Sequence, residues 1–183
     1  PLCGSGTFPI EAAMIARNIP AGYYRKGFAF QKWHHFDNKL WNQIVREAGE
    51  KILHKRIQIV GYDNIWANID LSKKNSRRIL IHNYVKFKKA ELCDFQPDVP
   101  GVIIMNPPYG VRLGEDKELE LLYGLIGDVL KSSCQDSHAY IITGNLELAK
   151  HIGLKSDSKI ILKNGKIDCR LLHFPIRHGK YAD

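Results

Sequence analysis

The chain has no run of 18 or more consecutive apolar residues in its 183, which removes a helical membrane span. No charged stretch followed by an apolar one opens it, so no cleaved leader is expected. Cysteine is scarce: Cys3, Cys93, Cys134 and Cys169 stand far apart, with no C-x-x-C pair. That scatter argues against a zinc ribbon and a disulfide framework, and it suits a reducing cytoplasm. The adjacent pair His34-His35 invites a metal reading, but neighbouring histidines are expected to point apart at the surface. No metal is expected. Acid is in short supply too, 19 Asp and Glu against 27 Lys and Arg, a net charge of +8. A basic chain favours polyanionic partners without saying which. The excess gathers at 73–78, 86–89 and 150–177, and a solvated helix face explains the first of these as well as a nucleic-acid footprint does. With 44% apolar residues and no internal repeat or low-complexity linker, the chain fits one globular domain.

Apolar periodicity predicts helices over 8–18, 38–55, 65–80, 118–132 and 146–151, and strands over 56–62, 85–87, 101–105 and 138–143. In the second helix Leu40, Trp41, Ile44, Val45, Ala48 and Ile52 share one side. The third should turn Ile65, Ile69 and Leu80 inward and Lys73, Lys74, Arg77 and Arg78 outward. The fourth should bury Leu119, Leu122, Leu125, Ile126, Val129 and Leu130. Asn164-Gly165 between the runs 159–163 and 166–174 is a strong hairpin signal. Strands alternating with helices and closed by an antiparallel hairpin describe an α/β fold with a mainly parallel, doubly wound sheet. Between the first two helices lies an aromatic and basic segment containing Phe28, Phe30 and Trp33. Such rings interleaved with cations are able to stack bases, but the favoured expectation is that they plug a loop onto the core.

Two motifs carry chemistry. Asn106-Pro107-Pro108-Tyr109 follows the apolar run Val102-Ile103-Ile104-Met105, read as a buried parallel strand. The prolines stiffen the loop and remove two amide donors. One carboxamide, one carbonyl and one ring are left at the carboxyl end of a strand, where open α/β sheets bind ligands. A carboxamide oxygen and a backbone carbonyl together accept both hydrogens of an exocyclic amine, while a ring stacks on the base bearing it. A proline-rich turn after a core strand is the plainer alternative. The second motif, Pro1-Leu2-Cys3-Gly4-Ser5-Gly6-Thr7, precedes a helical pattern. Its glycines permit a tight turn, and the amides of the following helix would face an anionic or polar ligand. Two glycines alone are weak, and a surface turn capping a helix explains them equally well.

Taken together, these motifs resemble a family. Pro1 to Ala13, the acid ending Val60-Gly61-Tyr62-Asp63, Cys93-Asp94-Phe95 and Asn106-Pro107-Pro108-Tyr109-Gly110-x-Arg112 are similar to S-adenosylmethionine-dependent methyltransferases that modify an exocyclic base amine. The nearer resemblance is to the bacterial large-subunit ribosomal RNA guanine-N2 methyltransferase L family, whose catalytic domain follows an RNA-binding THUMP domain. Phe28-Ala29-Phe30-x-x-Trp33 and Lys163-Asn164-Gly165-Lys166-Ile167-x-Cys169-Arg170 extend it over nearly the whole chain.

The resemblance implies a Rossmann-like class I methyltransferase fold, S-adenosylmethionine as cofactor, and RNA, foremost 23S ribosomal RNA, as partner. It implies that Asn106, Pro107, Pro108 and Tyr109 are catalytic. Pro1, Cys3, Gly4, Ser5, Gly6, Thr7, Asp63, Asn64, Asp94, Phe95 and Asn106 would bind the cofactor, Asp63 at the ribose hydroxyls and Asp94 with Phe95 at the adenine. Asp63 also precedes a helical run and would serve as its cap. Six strands are readable where the family has seven, so the first strand and an acid are expected ahead of Pro1, with residues 1–183 a shortened methyltransferase domain. Three alternatives stay open: a tRNA guanine-N2 enzyme, a DNA adenine-N6 or protein glutamine methyltransferase using the same loop, and a non-catalytic RNA-binding domain on the same fold.

Overall fold

The computed structural model describes residues 1–110 and 116–179, so Arg112 lies outside the described residues. The chain divides into two compact units, one made of 1–3, 62–66 and 89–183, the other of 4–61 and 67–88.

The first unit is built on four strands, β3 (Val102–Met105), β4 (His138–Thr143), β5 (Ser158–Asn164) and β6 (Ile167–Pro175), in the order β3-β4-β6-β5. β3 runs parallel to β4, with Val102 opposite His138 and Met105 opposite Ile141. β6 is antiparallel to both β4 and β5. The Asn-Gly signal holds with its register shifted by one: Asn164 pairs with Ile167, so Gly165 and Lys166 form the two-residue turn, Gly165 at φ 62°.

Helix α4 (Asp116–Ser133) buries Leu119, Tyr123, Ile126, Val129 and Leu130, an i, i+4, i+7 stripe that joins Ile103, Met105, Ala139, Ile141, Leu172 and Phe174 in one core. Leu125, expected inside, is 37% exposed, and fully buried Tyr123 takes its place on the stripe, its hydroxyl 3.0 Å from Thr143 Oγ1. Beyond the end of α4, Asp136 takes a left-handed conformation in a turn closed by Ser137 N on Cys134 O. Helix α5 (Leu146–Lys150) starts at Asn145, whose Oδ1 accepts from Glu147 N and Leu148 N.

The run before the proline loop departs from expectation. Ile103 and Met105 are buried, whereas Val102 and Ile104 are exposed, because a strand turns alternate side chains to opposite faces. An apolar run without alternation does not by itself say that both faces are covered.

The second unit contains α1 (Thr7–Ala16), α2 (Asn38–Glu50) and most of α3 (Trp66–Arg78). α1 buries Pro9, Ile10, Ala13 and Met14. It closes on Asn18 in the left-handed conformation, with Ile19 N bonded back to Met14 O. Asp37 caps α2 by accepting from Lys39 N and Leu40 N. α2 ends at Glu50, short of the expected Lys55, and none of its residues is buried. α3 buries Ile69, Ser72 and Ser76, while Ile65 and Leu80 are exposed. The chain turns through Leu80 at φ 55°, which sends Ile81, fully buried, into the core position expected of Leu80.

Strand β1 (Val60–Asp63) pairs with β2 (Lys86–Lys89). Residues 56–59, expected in β1, are not strand: the bond from Lys86 N to Ile59 O marks where the ladder begins. The aromatic segment does not plug into a core either. Phe28 and Phe30 stack at 5.3 Å and pack edge-on against Trp41 of α2, while Trp33 is 72% exposed. His34 and His35 are exposed as expected, but their rings meet edge-on at 4.8 Å instead of pointing apart.

Candidate active site

β1 ends at Asp63, where the chain leaves the sheet. The Asp63 side chain is 6% exposed, and its Oδ1 accepts from Ile65 N at 3.0 Å. This is a turn bond just ahead of α3, to an amide one residue short of the helix. The backbone oxygen of Asp63 accepts from Ala90 N at 3.1 Å, and the Asn64 carboxamide donates to Glu91 Oε2 at 3.2 Å. Glu91 was missed in the sequence; its signal is the acid that follows the basic run 86–89.

Cys3 N donates to Tyr62 O at 2.8 Å, which ties 1–3 to the same strand end. Burial, with the Asp63 carboxylate adding to it, pushes the Cys3 thiol up to about 11. It therefore stays a neutral thiol at ordinary pH, with no thiolate to act as nucleophile. A 3-10 turn over Leu92–Asp94 leaves Asp94 exposed, whereas Phe95 is 5% exposed and packs edge-on against Tyr62 at 5.1 Å. The Phe95 ring, expected at the adenine, thus belongs to the core.

The other cofactor-loop residues, Gly4, Ser5, Gly6 and Thr7, belong to the second unit. Gly6 has φ 83°, and a Cβ there would come within 2.7 Å of Ser72 Cβ and 2.9 Å of Phe87 Cε1. Only glycine satisfies both constraints. Asn75 of α3 donates to Ser5 O at 3.0 Å, and Thr7 opens α1.

In the first unit Asn106 follows the last residue of β3 and is exposed. Pro107 is among the fully buried side chains and anchors the loop, while Pro108 is exposed. Tyr109 is half-buried, and its hydroxyl accepts from Asn164 Nδ2 at 2.7 Å. Partial burial holds the Tyr109 phenol above the usual tyrosine range, with the Asn164 bond opposing that rise and Cys169 adding to it. Beside Tyr109 opens a pocket of about 510 Å³ whose walls include Thr143, Asn145, Ile167, Asp168 and Arg170. Its volume lies in the range of small-ligand sites. None of these five was expected in the site, because each comes from a strand end or turn distant in sequence.

The first unit thus holds Pro1, Cys3, Asp63, Asn64, Asp94, Phe95 and the whole Asn-Pro-Pro-Tyr loop, with Asp63, Asn64 and Asn106 at strand ends and Asp94 on a 3-10 turn. Among the described residues no group of three His, Cys, Asp or Glu is arranged to hold a metal ion, and no helix is long and apolar enough to cross a membrane.

Comparison with known proteins gives this arrangement a family. A Synechocystis sp. protein named as an RNA methyltransferase is 36% identical over 179 residues, covering 96% of this chain and 46% of the relative. The ribosomal RNA large subunit methyltransferase K/L of Hahella chejuensis is 40% identical over 186 residues, covering 96% of this chain and 26% of the relative. The chain therefore spans half or less of these relatives. A solved structure described as a methyltransferase complexed with SAH superposes with a TM-score of 0.89 at 35% identity, over 98% of this chain and 48% of its own. The fold is the Rossmann-like class I methyltransferase fold. Residues 1–173 match the model of the RMKL-like methyltransferase domain, and the chain belongs to that family.

Proposed function

We propose that this chain is the catalytic part of an S-adenosylmethionine-dependent RNA methyltransferase that modifies the exocyclic N2 amine of a guanine, foremost in 23S ribosomal RNA. One observation carries the reading: Asn106 stands exposed at the carboxyl end of a parallel strand, on a loop anchored by buried Pro107 and opening beside a pocket with room for a base. The relatives named as RNA methyltransferases support RNA as the substrate class.

The residues present fit the cofactor. Asp63, a mostly buried carboxylate at a strand end, suits ribose hydroxyls; Asp94, exposed on its 3-10 turn, suits the adenine amine. Pro1, Cys3, Asn64 and the backbone at Phe95, all of the same unit, would complete its surroundings. When bound, the cofactor supplies an activated methyl group on a sulfonium, which needs no metal. An exocyclic amine is a poor nucleophile because its lone pair is delocalised into the ring. Asn106 Oδ1 and the Pro107 carbonyl accept from its two N–H groups, which localises the lone pair and stabilises the charge that develops on nitrogen. A base in structured RNA is first extruded from its stack, and Tyr109 offers it a replacement surface.

Tritium transfer from labelled cofactor into RNA, DNA and protein pools tests the reading, with Asn106→Ala in parallel. Label is expected in ribosomal RNA. The variant should lose about two to three orders of magnitude in rate, with cofactor affinity by calorimetry within a few-fold of the wild type. Label in DNA would make the protein an adenine-N6 enzyme, and absence of binding heat would leave only an RNA-binding domain.

A further inference from the structure

Asn164, at the turn of the β5–β6 hairpin, has no part in the chemistry described so far, yet it grips the catalytic loop. Asn164, the last residue of β5, donates its carboxamide N–H to the Tyr109 hydroxyl at 2.7 Å, across 55 residues of sequence. Cys169 Sγ lies 3.7 Å from the same oxygen. The flank of the ring rests where β4 ends: a Cβ on Gly144 would come within 3.0 Å of Tyr109 Cδ2 and Cε2, and of Ile167 Cγ2. Asn164 is itself exposed, so its contribution to the core does not explain the contact. Its place is fixed by the Asn164–Ile167 pairing and the two-residue turn.

We propose that the β5–β6 hairpin positions Tyr109 for purine capture, with Asn164 as the positioning residue acting through the phenol oxygen. This rests on the base-amine reading of the Asn-Pro-Pro-Tyr loop. A ring free to rotate loses that freedom when a base stacks on it; a ring already held at its tip and flank has lost it during folding. The ligand is a purine extruded from RNA, entering the pocket beside Tyr109, Thr143, Ile167 and Arg170. Asn164 touches neither methyl donor nor acceptor, so its effect belongs to base binding and not to cofactor binding.

The test uses 2-aminopurine riboside, whose fluorescence is quenched on stacking, with melting temperature and cofactor affinity recorded for every variant. Asn164→Ala is expected to weaken nucleoside binding about tenfold, the effect of one lost hydrogen bond. Asn164→Asp, whose carboxylate accepts from the phenol O–H, should restore binding to within about threefold of wild type. Tyr109→Phe should match Asn164→Ala, and the double variant should be no worse than Tyr109→Phe alone, because the residue acts only through that oxygen. Wild-type binding in Asn164→Ala, or additive losses in the double variant, overturns the positioning role while wild-type quenching and RNA methylation leave the base-amine reading standing. A wild type that neither quenches the probe nor labels RNA overturns both.

Discussion

Asp63 serves a turn with one carboxylate oxygen, and the proposed site asks the same side chain to meet ribose hydroxyls. The two roles separate energetically. Losing the bond to Ile65 N should cost about 1 kcal/mol of stability, as the loss of a cap does. Losing a charged acceptor for the ribose should cost about 1.5–3 kcal/mol of cofactor binding. Asp63→Asn keeps an oxygen for Ile65 and removes the charge. It is expected to melt within a degree or two of wild type while binding cofactor about tenfold more weakly. Calorimetry beside thermal denaturation checks this; a large fall in melting temperature with unchanged cofactor affinity would assign Asp63 to the turn alone. The strand-end positions of Asn106 and Asp63 were both legible in the sequence, since each punctuates an apolar run. Glu91, Asn145 and Arg170 were not, because no local pattern marks a residue whose role comes from a neighbour far along the chain.

At the scale of elements, α4 shows how closely helix and backbone are fitted. A Cβ at Gly127 would sit 1.8 Å from the Ile152 carbonyl oxygen, whereas one at Gly124 would meet nothing nearer than His151 O at 3.9 Å. The opposing atom at Gly127 is main chain just past α5 and is unable to swing aside. Gly127→Ala should therefore destabilise by about 3 kcal/mol, lowering the melting temperature by about 10 °C. Gly124→Ala should be neutral or stabilising by up to about 1 kcal/mol through helix propensity. Denaturant titration of the two variants makes the comparison. Equal stability would mean that α4 and the segment at Ile152 lie farther apart than the structure places them. The helices themselves were legible from periodicity. Their inward residues were legible at Ile126 and Leu130, but not at Leu125, which lies off the core stripe of α4, nor at Leu80, where a left-handed residue redirected the chain.

Across the whole molecule the net charge of +8 bears on the proposed RNA partner. Arg77 and Arg78 lie exposed in the last turn of α3. If these side chains meet phosphates, replacing both with Gln should reduce the slope of log affinity against log salt by about one to two, through fewer released counterions. Filter binding to 23S ribosomal RNA transcript across a salt series measures that slope. An unchanged slope would assign the cluster to a solvated helix face, the alternative that composition left open. Charge reports the kind of partner because it sums over the chain, and it gives no position because the sum discards geometry.

The sequence by itself determined what local chemistry governs. An apolar run marked β4, the Asn-Gly turn placed the hairpin to within one residue, and two prolines marked a loop after β3. These outcomes depend on φ/ψ preferences and on periods that repeat within a few residues. Tertiary structure decided which ends meet. β6 lies antiparallel between β4 and β5, so the hairpin turn is carried to the loop after β3, and Asn164 reaches Tyr109. It also decided that Val102 and Ile104 face away from the core and that the aromatic segment packs on α2. Those outcomes follow from strand order and from which faces are covered, and no short window of sequence contains either.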